Sequence, residues 1–499
     1  MSNDGFWHKA WQFALLFAVI ALMAASIVVQ GQSVSADEVR SIVAAEGGGG
    51  GSSSANAWPV DKSIRPELTP VAQLTAAPSG EEHLSIAPDV PPTIDRSDQR
   101  IWDIHIESIE DVCPLDPDKG ISTEMWGFRI AGENDVTCGS PGPVVRGRVG
   151  DVVNITLTNL ASNSRPHNID FHAVTGQGGG AADLTVNPGE TATIQIRLLY
   201  PGAFMYHCAF GDVPSHIAHG MVGMFVVDPE APLPTVDHEW AIMQSEWYIG
   251  EAGSDGVAPF DPDALFDEEP TMVTFNGRAD ALTGDNSLQM KVGERGRIYF
   301  VNEGLNLDSN FHPIGSHWDL VYPEAATHQA NRVIRGSQST LVVAGGGTVV
   351  EIDGLVPSTV ILVDHALVRT FYKGAIGLLV ISGDENPELF SVPGAEAPPT
   401  SEAGDEGASA GNGQVLFAQT CAACHGPNAE GVDGLGPALV ENEFVASLSD
   451  EDLVEFLKVG RPTDHPDNTS GIAMPPKGGN PALGDSDLAD IAAYLREIG

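Results

Sequence analysis

The stretch Tyr206-His207-Cys208-Ala209, followed by His216 and Met221, spaces a thiol, an imidazole and a thioether as Cys-x7-His-x4-Met. A loop of that spacing joins two strands and folds back on one metal. Upstream, Pro166-His167-Asn168-Ile169-Asp170-Phe171-His172 offers a second imidazole at His167. One thiolate, two imidazoles and a distant thioether are the donors of a blue, type 1 copper centre. Cys208, His167, His216 and Met221 are that candidate set. The thiolate couples strongly to the metal, and the weak axial Met lets copper change oxidation state with little rearrangement.

Two histidines are left over. In an extended strand, neighbouring side chains point to opposite faces. Cys208 therefore serves a metal inside a sandwich, and His207 faces outward. His172 lies five residues after His167, and the odd offset turns it outward as well. Two outward imidazoles without a thiolate point to a second, type 2 copper at a subunit surface, wired to the first through the His207-Cys208 backbone. Phe204 and Tyr206 share the parity of Cys208 and are expected inside. Met205 and Met224 fall on the other face and read as packing residues. His219, two residues from Met221, reads as a rim residue or one packed behind the ligands.

Outward from this stretch the chain reads as short strands. Val152 to Thr158 alternates after a Gly150-Asp151 turn, and Thr191–Leu199, Gly202–His207 and Met221–Val227 read similarly. The second half repeats the plan: Leu288 to Glu294 echoes the Val-Gly-Asp strand, and Ala375–Ile381 echoes Met221–Val227. Two related β-sandwiches over 99–230 and 231–385 fit this best. Gly47 to Ser54 and the Pro/Ala-rich sequence beyond it read as a flexible linker over 32–98, and 386–411 as a second linker. From 412 to 499 the period becomes helical, with Leu488, Ile491, Ala492 and Leu495 on one face of a helix that Asp485 or Ser486 would cap.

Cys421-Ala422-Ala423-Cys424-His425 sets two thiols one helical turn apart for thioether bonds to haem c, with His425 as the proximal iron ligand. Met474, in Gly-Ile-Ala-Met-Pro-Pro, is the only Met after residue 290 and is the expected sixth ligand. Trp11 to Gln30 is almost wholly apolar, and no charge falls between Lys9 and Asp37, so 1–31 reads as an uncleaved transmembrane anchor. Lys9 before it places everything beyond residue 31 outside the cytoplasm, on the periplasmic or cell-surface side. That compartment suits a Cys113–Cys138 disulfide, since the other three of the five cysteines have metal or haem roles. The 499 residues carry a net charge of −44, which repels polyanions and excludes nucleic acid as a partner.

Residues 99 to 385 resemble the copper-containing nitrite reductases, through Pro-His-Asn-x-Asp-x-His and His-Cys-Ala. Residues 412–499 resemble a class I cytochrome c. The resemblance implies a mainly β chain of two cupredoxin-like Greek-key sandwiches plus a small all-α haem domain. It implies a homotrimer that reduces nitrite to nitric oxide at the type 2 copper. That copper would take His172 and His207 from one subunit and His365, in Leu-Val-Asp-His-Ala-Leu, from the next. Asp170 corresponds to the active-site acid, His312 of Phe-His-Pro-Ile-Gly to the active-site histidine, and Ile314 to the apolar residue shaping the nitrite pocket. The fused haem would pass electrons from an external donor to the blue copper. Ser215 stands where many members have Trp. Two other readings are a two-domain multicopper oxidase and a copper/haem electron shuttle. The first lacks any His-x-His pair in the chain, and the second leaves His172, His207 and His365 unused.

Overall fold

Along Val152–Asn159, Val153, Ile155 and Leu157 are buried while Asn154, Thr156 and Thr158 are not, the alternation of a strand with one face on a core. Each such residue contributes about 1.5–3 kcal/mol when fully buried. The computed structural model describes residues 65–133, 137–391, 408–432, 436–462, 465, 466, 468, 473–480 and 483–499. The anchor expected over 1–31 lies outside these residues. Among the described residues, no helix is long and apolar enough to cross a membrane.

Four sheets follow from this patterning. In the first, the strand Arg100–Asp116 runs between Ile121–Ile130 and Val152–Asn159, with Thr191–Arg197 beyond. It packs on a second, in which Val144–Arg148, Val222–Asp228, Gly202–His207 and Asp170–Phe171 are successive neighbours. Trp102, Phe128, Ile155, Leu157, Phe171, Tyr206 and Phe225 fill the space between. The third and fourth sheets repeat the arrangement. His238–Trp247, Arg295–Gly304 and Gly347–Asp353 face Ile376–Ser382, Ser358–Asp364 and Ser309–Ile314, around Phe275, Phe300, Phe311 and Trp318. Met205 and Met224 lie in a third apolar layer with Tyr299, Val301 and Val349, between the two sandwiches. Cys113 and Cys138 are disulfide-bonded.

Two features differ from the sequence reading. Part of the expected linker, 65–98, is built into the first sandwich: Thr75–Ala76 pairs with Arg100–Ile101, and Leu84–Ser85 with Val144–Val145. Arg96 there grips the fully buried Asp151 carboxylate at 2.5 and 2.8 Å. Low hydrophobicity hid these contacts, because they are ion pairs and backbone bonds rather than apolar periodicity. Also, residues 248–271 leave the second sandwich and return to the first, where Val257–Ala258 adds an edge beside Ser122–Thr123.

Arg146 joins the sandwiches. It is 1% exposed, bonds both oxygens of Asp228 at 2.8 and 2.9 Å, and reaches Glu239 at 2.6 Å. Arg297 bonds Glu239 at 2.9 Å and Glu351 at 2.6 Å. Burial pushes the Glu239 carboxyl up, but Arg146 and Arg297 outweigh it and hold the group below the usual carboxylate range. Removing one partner of such a network strands buried charge. Arg146→Met should lower the unfolding free energy by about 3–5 kcal/mol, read from the denaturant midpoint.

At the C-terminal end, helices Ala410–Thr420, Asp450–Val459 and Asp485–Ile498 enclose Phe417, Leu453, Leu457, Leu488, Ile491 and Leu495. The last helix is capped one residue earlier than expected. Gly484 is the N-cap, and its N–H donates to the Asp487 carboxylate at 2.9 Å.

Candidate metal centres

His167 is held by a two-way backbone bridge to Val186, and its side chain is fully buried. Cys208 directly follows Gly202–His207, and its N–H donates to the Met221 carbonyl at 3.1 Å. The segment between Cys208 and Met221 is not a simple loop. Its residues Val213–Ala218 form a short helix with Pro214 in the first turn, which carries His216 inward. The His216 Nδ1 lies 3.2 Å from the Cys208 Sγ, and the His167 Nδ1 lies 3.9 Å from it. Met221 is fully buried against the same core.

Burial pushes the Cys208 thiol up to about 11 and draws His216 down to about 4, with His167 adding to the second shift. Burial lowers His167 as well, so both imidazoles favour the neutral form, and a thiol so placed yields its proton to a soft cation. The donor set fits copper. Asn168 Oδ1 accepts the Ala209 N–H at 2.7 Å and stands 3.7 Å from Cys208 Sγ, tying the two ligand segments together. His167 Nε2 donates to Glu110 at 3.0 Å, which leaves Nδ1 facing the site. Ser215 carries no ring, but Trp126 from the strand Ile121–Ile130 stacks on His219 at 3.8 Å and meets His216 edge-on at 4.9 Å.

On the opposite face of the same sheet, ligand atoms of Asp170, His172 and His207 lie within 4.8 Å of one another. Strand parity has this result: Asp170 pairs with His207 while Phe171 and Tyr206 point into the core. His207 Nδ1 donates to the Cys208 carbonyl at 3.0 Å, so its Nε2 turns to the His172 Nε2, 3.2 Å away. Two imidazole nitrogens converging on one point, with an open side, fit a metal. Gly179 lies against the acid: a Cβ there would fall 1.8 Å from Asp170 Oδ1, and φ is +55°. Gly179→Ala should displace the Asp170 carboxylate from the His172–His207 pair and slow about a hundredfold any turnover that uses it, with the blue absorption unchanged in visible spectra.

His365 and His312 are not brought to this trio within one chain. They lie together elsewhere, ring centroids 5.1 Å apart, in the second sandwich. Their register matches the first pair. Phe171 pairs with Tyr206, and Phe311 with Asp364, so His172 and His207 correspond to His312 and His365. The His172 and His207 rings are 5.2 Å apart. Ile314 shares the His312 face two residues on, and His312 Nδ1 donates to the Gln338 carbonyl. Asp364, fully buried, accepts the Ala366 N–H at 3.1 Å and meets Arg369 at 3.1 Å, which pins the turn presenting His365.

In the helical end, Cys421, Cys424, His425 and Met474 line one cleft with Phe444 and Leu457. His425 Nδ1 donates to the Pro437 carbonyl at 2.8 Å, leaving Nε2 for iron. Met474 is fixed by reciprocal backbone bonds to Arg461 at 2.8 and 2.9 Å. Paired thiols with an imidazole and a thioether lining the same cleft fit haem c.

Glu110, Gly179, Asp364 and Trp126 were not singled out from sequence. Only Gly179, within a three-glycine run, left a local trace.

Comparison with known proteins points to copper and haem as the groups this chain carries. A family model described as "Cytochrome C oxidase, cbb3-type, subunit III" matches residues 408–495, and one described as "Multicopper oxidase" matches 114–231. A copper-containing nitrite reductase of Neisseria meningitidis is 42% identical over 306 residues, covering 61% of this chain and 76% of that protein. One from Cereibacter sphaeroides is 32% identical over 358 residues, covering 67% and 88%. The solved copper nitrite reductase of Nitrosomonas europaea is 33% identical, covers 58% of this chain and 96% of that one, and superposes with a TM-score of 0.50. With copper donors gathered in cupredoxin-like sheets and a cytochrome c segment following them, the chain belongs to the copper-containing nitrite reductase family, in a form fused to its own haem domain.

Proposed function

We infer that the chain reduces nitrite to nitric oxide, consuming one electron and two protons and releasing water, with its haem segment as electron donor. The observation that carries this is the pairing of opposite-facing donors at His207-Cys208, beside an acid at Asp170. Bound copper supplies the electron and the Lewis acidity that draws nitrite by its oxygens, and haem c supplies the relay from an external donor.

The protein's own groups do the rest. His167, Cys208, His216 and Met221 are the proposed type 1 ligands. His172 and His207 are the proposed type 2 ligands, completed by His365 of the partner subunit in a homotrimer. Support for the trimer comes from two half-sites on one chain. It also comes from the exposed apolar side chains Leu341, Val368 and Tyr372 beside His312 and His365. Asp170 is positioned to hold and deliver a proton to the departing oxygen of nitrite, and His312 Nε2 to deliver the other. Ile314 would limit the pocket to a small anion. Cys421 and Cys424 would anchor haem, with His425 and Met474 on its two faces. We further propose domains at 99–230, 231–385 and 412–499, with 65–98 joined to the first and 248–271 extending across to it. The cytochrome c segment supports an extracytoplasmic location, and the apolar stretch 11–30 supports a membrane anchor.

The test is anaerobic: copper- and haem-loaded chain, a reduced donor and nitrite, with nitric oxide followed by electrode and copper counted. One nitric oxide per electron and two coppers per chain are expected. No nitric oxide, or four coppers, would overturn the reading.

A further inference from the structure

Glu110 sits in the long strand Arg100–Asp116, far in sequence from the copper donors, and no step above uses it beyond its bond to His167. Its side chain is 10% exposed, yet it accepts five hydrogen bonds. One oxygen takes the His167 Nε2–H and the Arg165 N–H, both at 3.0 Å. The other takes the Ser164 N–H at 3.0 Å, the Ser164 hydroxyl at 2.7 Å and Arg165 Nη1 at 3.2 Å. Five donors fill the acceptor sites of an ionised carboxylate and leave no place for a proton. A full negative charge is therefore bonded to the far nitrogen of a copper-facing imidazole.

Arg165 answers that charge. Besides Glu110, it reaches Glu124 at 3.3 Å, and its guanidinium lies 4.2 Å over the Trp126 ring. Trp126 in turn meets His216 at 4.9 Å and tilts against His167 at 6.2 Å. The cation thus lies against the ring that covers both imidazoles. Its side chain is 40% exposed, so solvent weakens its field relative to that of Glu110.

Resting on the reading of His167, Cys208, His216 and Met221 as a type 1 site, we propose that Glu110 and Arg165 are an opposed charge couple that sets that copper's reduction potential. The carboxylate makes His167 a stronger donor and favours the more positive oxidised metal; the guanidinium favours the reduced one. Their balance fixes how readily an electron leaves haem for this centre, so both are positioning residues rather than catalytic ones.

The test is a spectroelectrochemical titration of the blue band in the full copper- and haem-loaded chain, with EPR of the same samples. Glu110→Gln keeps the shape and removes the charge. It should raise the reduced-to-oxidised ratio at fixed potential about tenfold, a rise of about 59 mV for one electron. Arg165→Gln should shift the ratio the other way by a smaller factor, about threefold. In both, the type 1 hyperfine pattern should persist. Shifts of opposite sign support the couple, because mere loosening of the site would move both variants alike. Unchanged potentials, or shifts in the same direction, overturn it. Should Glu110→Gln fail to fold, Arg165→Lys, which keeps the charge, is set beside Arg165→Gln: a lowered potential in Arg165→Gln that Arg165→Lys restores supports the couple, and equal shifts in both overturn it. A copper-loaded wild type without a blue band would overturn the site reading itself, and the proposal with it.

Discussion

Asp170→Asn should lower nitric oxide formation by about 10²- to 10⁴-fold, the usual contribution of a positioned proton donor. The amide fills the same space and still accepts a hydrogen bond, so the arrangement with His172 and His207 would persist. What it lacks is a proton to deliver. Asp170 lies on the outward face, while the Cys208 sulfur lies inward with His167 and His216. The blue absorption and the type 1 EPR signal should therefore match wild type, and haem should still reduce that copper. An equal loss of blue absorption would mean that the variant had disturbed the sheet. Wild-type turnover would remove Asp170 from the proton path.

His365→Ala should remove the type 2 EPR signal, bring copper from two atoms per chain to one, and lower nitric oxide formation more than about a hundredfold. Even outer partners of a ligating histidine cost 10- to 100-fold in metal affinity, and His365 is the proposed third ligand itself. The sharper test is complementation. A head-to-tail interface takes different patches from its two copies. Co-expressed His172→Ala and His365→Ala chains, each inactive alone, would then form some interfaces with both contributing patches intact. Random mixing predicts about a quarter of them, with activity to match. No recovery would place the third ligand elsewhere.

Much of this site was legible in sequence, and the reason is local. The proposed ligands Cys208, His216 and Met221 share one segment, the His207-Cys208 alternation is a property of any strand, and Cys-Ala-Ala-Cys-His offers its proposed haem contacts within one helical turn. What was missed is non-local. Glu110 meets His167 across 57 residues, and Trp126 meets His216 from another strand. No spacing rule connects such positions. Residues 65–98 escaped for a different reason: their hold on the first sandwich is a short parallel pairing and the Arg96–Asp151 ion pair, which carry no hydrophobic period. The helix bearing His216 is six residues long, too short for a periodic signal.

The return of residues 248–271 to the first sandwich bears on any attempt to take the molecule apart. That excursion seats Phe260 at 4.5 Å from His219, in the stack that continues through Trp126 to His216, and it completes a sheet edge at Ser122–Thr123. A fragment cut after the first sandwich would carry every proposed blue-copper donor but lose this cover, along with the Glu239 that Arg146 needs. Engineers seeking a minimal soluble electron carrier from this chain should therefore graft the excursion onto it, or expect a metal pocket open to water and a stranded arginine.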